Sequence, residues 1–269
     1  MITGYVIFIY PVSVCIIILF FRRSEMPRFF LAAASPEDGY FEITGDDARH
    51  ISFSLRMRCG ERITICDGEG SDYDCVIRGI DGQTVKAEVL EKRPTVTESP
   101  VRIRLYQSVP KGDKFDYIVQ KAVELGVSEI VPVYSSRCIV KPDAKSEEKR
   151  LLRLGKIAEE AAKQCGRGIV PRVLPHMRYA AAVRSVKGKA FLCYEDEKSY
   201  SLKEYLGEFA KGNETSLNFF VGPEGGYAKE EVLLASEFGI PSAKLGNRIL
   251  RSETASGFVL SCIAYALEL

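Results

Sequence analysis

The sequence predicts an α/β protein in two parts, a small β-rich domain followed by a larger domain in which strands alternate with helices. Three observations support this prediction. From residue 40 to 92, short apolar or alternating runs are separated by Asp-Gly and other glycine-containing turns, which is typical of antiparallel strands. From residue 101 onward, apolar runs alternate with amphipathic helical stretches, which favours a parallel sheet. Residues 93–100 contain two prolines among polar side chains and are predicted to link the two parts.

The β-rich part is predicted to hold strands over residues 62–70, 73–83 and 84–92. The pairs Asp67-Gly68 and Asp81-Gly82 separate these runs, and an Asp-Gly pair between apolar runs is a strong signal for a hairpin-type turn. Short strands joined by such turns predict a small β-barrel.

The larger part is predicted to contain strands over residues 101–109, 129–135, 190–196 and 216–222, and helices over residues 113–125, 146–165, 227–238 and 254–268. In the first of these helices, Phe115, Ile118 and Ala122 fall on one face. Gly126 follows directly and is expected to end that helix. The last helix is almost wholly apolar, so we expect it to be buried.

The composition excludes two broad classes of protein. Of the 269 residues, 46% are hydrophobic and 27% are charged, so the chain is not globally disordered. The formal net charge of +1 argues against a polycation that coats nucleic acid. The charge is nevertheless unevenly distributed along the chain. Residues 26–100 carry 9 basic and 14 acidic side chains, whereas residues 101–269 carry 26 basic and 21 acidic side chains. This distribution leaves room for an RNA enzyme.

The first twenty-five residues form a hydrophobic leader. Residues 2–21 carry no charge and are followed by Arg22 and Arg23, which fits a membrane span of about 20 residues with the rest of the chain in the cytoplasm. Two interpretations compete: a genuine anchor, and an upstream start codon with the working protein beginning at Met26. The residues alone favour the anchor slightly.

The cysteines and histidines do not predict a metal site. None of the eight cysteines forms a C-x-x-C pair, and the chain has only two histidines, His50 and His176. Most cysteines stand in apolar runs, where a small buried side chain is the ordinary role. A reducing compartment follows as the expectation.

Two loops are candidates for chemistry. Residues 221–226, with the sequence VGPEGG, follow a buried strand and precede a helix, so bare backbone and free helix N–H groups could meet a ligand there. A tight strand–helix turn is the alternative. Residues 245–255, LGNRILRSETA, precede the last helix. Ser252 or Thr254 as a helix cap would explain part of this loop but not Arg248 and Arg251, since cations are mildly disfavoured at a helix N-terminus.

A third segment, Gln164 to Gly168, ends a predicted helix. Gly166 fits a helix C-cap, and Arg167 projects beyond it.

These segments together resemble a known family. The chain resembles the bacterial 16S rRNA (uracil-N3)-methyltransferases of the SPOUT, or α/β-knot, superfamily. Five segments carry the resemblance, in the family's order: MPRFF at residue 26, VPKGDKFDYIVQKAVELGVSEIVPV, KQCGRGIVPRV, FFVGPEGGY and LGNRILRSETA. The resemblance runs from Met26 to the C-terminus, and the last two motifs together are highly specific. It implies a PUA-like β-barrel over residues 26–97 and a knotted methyltransferase domain over residues 100–269. Because the family has no counterpart of the leader, the resemblance favours a misassigned start over an anchor.

The resemblance also implies a cofactor and its site. S-adenosylmethionine is expected in a cleft built from Val221, Gly222, Pro223, Glu224, Gly225 and Gly226 of the first loop and Leu245, Gly246, Ile249, Leu250, Arg251, Glu253 and Thr254 of the second. The enzyme is expected to be a cytoplasmic homodimer, without a metal, that acts on 16S rRNA in the small ribosomal subunit. Arg167 matches an arginine of the family, although Cys165 stands where the family usually has serine.

Methylation at N3 of a uridine sets three requirements: alignment of donor and acceptor, loss of the N3 proton, and stabilisation of negative charge on O2 and O4. Arginine suits the last task because its fork donates to carbonyl oxygens. We therefore expect Arg167 and Arg251 near the base, and Arg248 at the loop or at an RNA phosphate. Glu224 and Glu253 are candidate proton acceptors, and solvent or the phosphate backbone are alternatives.

For RNA docking we expect a patch formed by Arg49, Arg56 and Arg58 in the small domain, where phosphate contacts would position the substrate. Two other functions remain open from the sequence. One is a sibling SPOUT enzyme that acts on tRNA or on a ribose 2′-hydroxyl. The other is a membrane-anchored RNA-binding protein without activity, which would use the leader.

Overall fold

The computed structural model describes residues 26–31, 35–139 and 144–269. The leader, residues 1–25, lies outside these ranges. The described residues form two sheets, one of five strands and one of seven, joined by residues 95–101. The two-part organisation expected from the change of pattern near residue 100 is therefore present.

The small domain is built on the five-stranded sheet. Its elements are β1 (Arg28–Phe30), β2 (Tyr40–Thr44), α1 (Gly45–Arg49), β3 (Arg62–Cys66), β4 (Ser71–Ile80) and β5 (Thr84–Pro94), in the spatial order β1-β3-β4-β5-β2. β1 runs parallel to β3, and the other neighbours are antiparallel. Within the described ranges no ladder joins β1 to β2.

Sequence periodicity explains why this sheet has one buried face. Phe41 and Ile43 alternate with exposed residues along β2, and they pack on Ile65 and Ile77 of the central strands. The two predicted Asp-Gly turns are confirmed: the carboxylate of Asp67 accepts from the backbone N–H of Ser71 at 3.0 Å, and that of Asp81 accepts from the N–H of Thr84 at 2.6 Å.

The larger domain is built on the seven-stranded sheet. Its elements are β6 (Arg102–Ser108), α2 (Lys114–Glu124), β7 (Glu129–Tyr134), α3 (Ala144–Cys165), β8 (Arg172–Val173), β9 (Met177–Arg178), α4 (Tyr179–Ser185), β10 (Lys189–Cys193), α5 (Leu202–Phe209), β11 (Ser216–Val221), α6 (Lys229–Glu237), β12 (Ser242–Ala243) and α7 (Ser252–Leu267). The order is β12-β10-β11-β6-β7-β8, with β9 also beside β7, and every pair is parallel.

Helices cover both faces of this sheet. Phe115 of α2, Leu154 of α3, Leu206 of α5 and Val259 of α7 belong to one core cluster, whereas α4 and α6 contribute to the cluster on the opposite face. Because both faces are covered, the central strands are largely buried: residues 217–221 of β11 are all buried, and Asn218 is the one polar residue among these five. This explains why the sequence could predict these strands without any alternation.

The structure adds elements that the sequence pattern does not show. α4 and α5 are helices of 7 and 8 residues, and β1, β8, β9 and β12 have two or three residues each. Elements this short carry too few apolar repeats to be recognised by periodicity. The predicted ends at Gly126 and Gly166 are correct, since both glycines adopt positive φ angles, +88° and +78°.

Direct contacts join the two domains. The guanidinium of Arg28 in β1 bonds to the carboxylate of Asp72 at 2.8 Å and to the backbone oxygen of Gly166, at the end of α3, at 2.8 Å. The N–H of Gly70 also donates to the oxygen of Gly168 at 3.1 Å. Of the helices within the described ranges, none has both the length and the apolar character to span a membrane.

Candidate functional site

A cleft opens where three neighbouring strands of the larger sheet end. β12, β10 and β11 lie side by side and run parallel, so the loops that follow them meet at the carboxyl edge of the sheet, where open α/β sheets bind ligands. The cleft is lined by Cys193, Tyr194, Glu195, Val221, Gly222, Pro223, Glu224, Gly226, Lys244, Leu245, Gly246, Asn247, Arg248, Ile249, Leu250, Ser252 and Ala255. Nine of the residues predicted to bind the cofactor are in this set.

The first loop, residues 222–226, needs its glycines for two different reasons. A Cβ on Gly222 would lie 3.3 Å from the buried ring of Tyr227, which packs beneath the loop. Gly226 has a φ of +67°, and a Cβ there would overlap the carboxylate of Glu195 from the loop after β10. Gly225 does not line the cleft. Its carbonyl oxygen instead accepts from Nη1 of Arg137 at 2.7 Å.

A hydrogen-bonded chain fixes this loop from below. Ser252, the first residue of α7, donates from Oγ to the oxygen of Gly222 at 2.7 Å. Its Oγ accepts in turn from Nε2 of Gln107, a fully buried residue of β6, at 2.9 Å. Ser252 and Thr254 both lie inside α7, so neither of them caps it. Arg251 occupies the cap position, without a side-chain capping bond.

The second loop, residues 245–251, offers free backbone donors and apolar surface. No described residue accepts a hydrogen bond from the N–H groups of this loop. The side chain of Ile249 is 86% exposed although it is apolar. Unpaired backbone donors, apolar side chains and a glycine cradle are the properties that a nucleoside-bearing cofactor requires, so the residues present fit S-adenosylmethionine.

Glu224 carries the negative charge of the first loop and is held by the segment before α2. Its Oε1 accepts from the backbone N–H of Lys111 at 3.1 Å and from Nζ of Lys114 at 3.3 Å. Partial burial alone would raise the pKa of Glu224. The backbone hydrogen bonds and the ammonium of Lys114 outweigh burial, so the pKa lies below its ordinary value and the carboxylate is charged at neutral pH.

Besides Gly225, three residues predicted for the cofactor cleft are not among those that line it. Glu253 and Thr254 face a groove between α2 and α7, and Arg251 is exposed at the start of α7. Lys114 connects the two regions, because its Nζ is also 3.5 Å from Oε1 of Glu253. Oε2 of Glu253 is buried and has no described partner. The geometry thus separates Glu224, which lines the cleft, from Glu253, which does not.

Within one chain, Arg167 does not lie beside these loops, and its predicted place near the base stays a prediction. The side chain is buried and its guanidinium bonds to the carboxylate of Glu98 and to the backbone oxygens of Val123 and Val127. These partners lie in the linker and at the C-terminal end of α2, whereas Lys114 and the cleft lie at the N-terminal end. A helix of 11 residues separates the two ends by about 16 Å.

The predicted RNA patch is exposed. Arg49, Arg56 and Arg58 lie at the surface, at the end of α1 and in the segment after it. Arg49 has one ionic neighbour among the described residues, Asp46 at 3.9 Å. Arg248 lies in another region, among the residues that line the cleft at the ends of β10, β11 and β12.

Sequence reasoning missed several residues that shape the site. Tyr194 and Glu195 lie near the end of the predicted strand 190–196 and directly after the observed β10, and the rule that ligands meet strand ends could have identified them. Gln107 and Arg137 act through partners that are distant in the chain, and no local pattern indicates them. Ser252 was expected only as a helix cap, and its bond to Gly222 depends on a distant partner too. Across the described ranges, no group of three or more His, Cys, Asp or Glu is arranged to hold a metal ion.

Comparison with known proteins extends these observations. A family model described as an RNA methyltransferase domain matches residues 97–264, and a model described as an RNA methyltransferase PUA domain matches residues 43–90. The predicted fold class, a SPOUT-type α/β domain after a PUA-like β-domain, is confirmed by these matches and by the solved structure below.

Curated relatives and a solved structure are similar over nearly the whole chain. Ribosomal RNA small subunit methyltransferase E of Bacillus subtilis is 33% identical over 253 residues, with 91% of this chain and 98% of the relative covered. The protein of that name from Mesomycoplasma hyopneumoniae is 31% identical over 245 residues, covering 88% and 99%. The crystal structure of that methyltransferase from Neisseria gonorrhoeae bound to S-adenosyl methionine is 34% identical, with a TM-score of 0.76 and coverage of 90% and 98%.

Proposed function

We propose, since the chain belongs to the RNA methyltransferase family whose model matches residues 97–264, that it transfers a methyl group from S-adenosylmethionine to N3 of a uridine in 16S rRNA. The observation that carries this proposal is the cleft at the ends of β10, β11 and β12, whose cradle, free backbone donors and apolar walls fit the cofactor. Relatives named as small-subunit rRNA methyltransferases support the substrate class. The N3 position follows from the resemblance of the two loop motifs.

The loops of the cleft orient the reactants. When bound, S-adenosylmethionine supplies a methyl group activated by a positive sulfur. Val221, Pro223 and Leu250 give the cleft apolar walls, and the backbone N–H groups of residues 245–251 are free to bond to a polar ligand. The bonds that fix the first loop through Ser252 hold this geometry before the ligand arrives, so little ordering remains to be done on binding.

Two kinds of side chain serve the base. Arg251 is exposed and has no described ion-pair partner, so its guanidinium is free to donate to O2 or O4 of the uracil as negative charge develops there. Glu224 lines the cleft as a charged carboxylate and is the favoured acceptor of the N3 proton. Its lowered pKa makes it a weak base, so the arginine must contribute much of the stabilisation of the uracil anion.

The substrate would dock through both domains. Arg49, Arg56 and Arg58 would bind phosphates on the PUA-like side, and Arg248 would bind a phosphate at the rim of the cleft. The protein would act in the cytoplasm, where ribosomes are assembled, and as a homodimer, as the resemblance implies.

The test is methyl transfer in vitro to small ribosomal subunits from cells that lack the enzyme. The purified chain from Met26 onward, supplied with labelled cofactor, should produce 3-methyluridine in 16S rRNA, detected by nucleoside mass spectrometry. Arg251→Ala should remain folded and abolish the product. A methylated tRNA would contradict the proposed substrate, and a 2′-O-methyl nucleoside would contradict the proposed position of the methyl group. Wild-type turnover in Arg251→Ala would contradict the role of Arg251.

A further inference from the structure

An exposed aromatic ring lies among the arginines of the small domain. Phe53 has 66% of its surface open to solvent, the largest exposure of any phenylalanine within the described residues. It follows Arg49 by four positions, and residues four apart share a helix face. Arg56 and Arg58 come directly after this helical segment, and both are exposed. A largely exposed apolar ring and three exposed arginines therefore belong to one short segment, residues 49–58.

The backbone holds this ring outward by an uncommon conformation. Residues His50–Ser54 form a π-helical turn that continues α1, and such turns are rare and occur often at functional sites. Arg56 then adopts a left-handed φ of +53°, which is unusual for a residue other than glycine. Both features lie within three residues of Phe53.

The opposite face of the segment anchors it. Ala48 and Ile51 are fully buried in the core of the small domain, and the ring of His50 contacts Phe29 edge to face, with 6.2 Å between centroids. The Phe53 ring lies over the turn between β4 and β5, where a Cβ built on Gly82 would be 3.5 Å from Cζ. The ring is thus supported from one side and open on the other.

Acidic groups lie nearby, but among the described residues only Asp46 forms an ion pair with one of the three arginines, and Glu61 meets Arg58 at its backbone N–H. Asp46 and Asp47 occupy the first turn of α1 and Asp81 the neighbouring hairpin turn. Asp46 approaches Arg49 only to 3.9 Å, and both side chains are highly exposed, so the pair is weak. Asp81 directs its carboxylate to the backbone of its own turn, at Gln83 and Thr84.

We propose that Phe53 stacks on an unpaired nucleobase of the rRNA while Arg49, Arg56 and Arg58 bind the flanking phosphates. An exposed ring flanked by cations fits single-stranded RNA, because bases in loops present a face for stacking and those in a duplex do not. This inference rests on the proposed function and makes it narrower: the small domain recognises a loop or bulge, and not only the charge of the backbone.

The chain contains no tryptophan, so a single reporter can be placed at this site. Phe53→Trp should lose fluorescence when an RNA hairpin with an unpaired uridine loop is added, and much less with a blunt duplex of equal length. Phe238→Trp is the matched control, since Phe238 is 49% exposed and lies 5.8 Å from the guanidinium of Arg184 in the other domain. Its fluorescence should not change with either RNA.

Salt dependence separates stacking from charge. Phe53→Ala and Phe53→Leu should each weaken binding of the hairpin by roughly 5- to 150-fold, the loss expected for one base–aromatic stack, and leave the slope of log K against log salt unchanged. Phe53→Tyr should keep wild-type affinity. Arg49→Ala should reduce that slope by about one, since one phosphate contact is lost.

Equal quenching of Phe53→Trp by the hairpin and the duplex, or wild-type affinity in Phe53→Ala, would overturn the stacking role. Wild-type affinity in Phe53→Leu would also overturn it, because an apolar contact would then suffice. Methylation of the small subunit by the wild-type chain, measured in parallel, keeps the two proposals apart: if it succeeds while the Phe53 tests fail, the inference is wrong and the proposed function stands.

Discussion

The side-chain amide of Gln107 donates from Nε2 to Oγ of Ser252 at 2.9 Å, across 145 positions of the chain. Gln107 lies in the central strand β6 and Ser252 opens the last helix. The hydroxyl of Ser252 in turn donates to the backbone oxygen of Gly222. The two hydrogen bonds together fix the loop at residues 222–226 to the middle of the sheet. The rigidity of the cleft therefore depends on a buried pair in which Ser252 belongs to a motif of the family and Gln107 lies outside the motifs.

Replacing Ser252 by alanine should weaken both the fold and cofactor binding. The buried amide of Gln107 would lose a partner, which costs about 1–3 kcal/mol of unfolding free energy. The loop at Gly222 would become mobile, so the Kd for S-adenosylmethionine should rise. Urea denaturation and titration calorimetry measure the two effects. Ser256→Ala is the control, because Ser256 is buried in the same helix and bonds only to carbonyls of that helix. Equal cofactor affinity in both variants would contradict the proposed coupling.

Gly226→Ala should lower both the stability of the fold and the affinity for S-adenosylmethionine. The positive φ angle costs roughly 1–2 kcal/mol for any residue with a Cβ, and the new methyl group would displace Glu195 from the cleft wall. Gly239→Ala is a matched control: its φ of +72° is similar, and no atom lies within 4 Å of the added Cβ. The two variants should lose similar stability, but only Gly226→Ala should bind S-adenosylmethionine more weakly. Unchanged affinity there would show that the Glu195 side of the cleft does not contact the cofactor.

Arg167 is expected to stabilise the fold through its contacts within the chain. Arg167→Met would remove the buried guanidinium that donates to Glu98 and to two carbonyl oxygens, so the unfolding free energy should fall by about 3–5 kcal/mol. Methyl transfer should then decline only with the folded fraction. Arg167→Lys distinguishes a structural role from a catalytic one. A folded Lys variant that binds the cofactor normally but has lost turnover would indicate that Arg167 takes part in catalysis.

Stability should depend on pH through Glu129. This carboxylate is 2% exposed and bonds to Arg102, Arg104 and Arg172. Burial acts to raise its pKa, but the three guanidinium groups prevail and the pKa lies below the ordinary value of 4.5. Because the folded pKa is the lower one, the stabilisation is complete above about pH 4.5 and is lost as the pH falls through the folded pKa.

The difference in unfolding free energy between the wild type and Glu129→Gln should therefore be large at neutral pH and shrink in acid. Urea denaturation at several pH values measures it. Glu88→Gln, which removes an exposed pair with Arg78, should cost less than about 1 kcal/mol. A difference for Glu129→Gln that does not vary with pH would argue against a charged carboxylate there.

Much of the fold could be predicted from the sequence because long elements repeat their signal. α2 and α7 and the strands β6, β7, β10 and β11 were expected within one or two residues of their observed ends at most positions. Their apolar residues are numerous enough to define a period or a continuous buried run. α4 and α5 were missed because helices of 7 and 8 residues provide only two turns of pattern.

The candidate site could be predicted only in part. The motifs indicate the loops at Gly222 and Leu245, because glycines and charged residues that follow a buried strand can be recognised in the amino-acid sequence. The motif around Glu253 and Thr254 belongs to the same sequence run, yet a helix begins inside it and turns these side chains toward α2. A run of residues does not specify which side of a loop each one faces.

The sequence by itself determined that a β-rich domain precedes a parallel α/β domain, and it determined which loops meet at the edge of that sheet. Both follow from local chemistry, namely the spacing of apolar residues and the backbone freedom of glycine. The tertiary structure decided that Ser252 supports a loop where a cap was expected, that Arg167 binds Glu98, and that Phe53 stands open among the arginines. These outcomes depend on groups that come together only when distant strands and helices pack, because a side chain takes its partner from whatever surface folding brings against it.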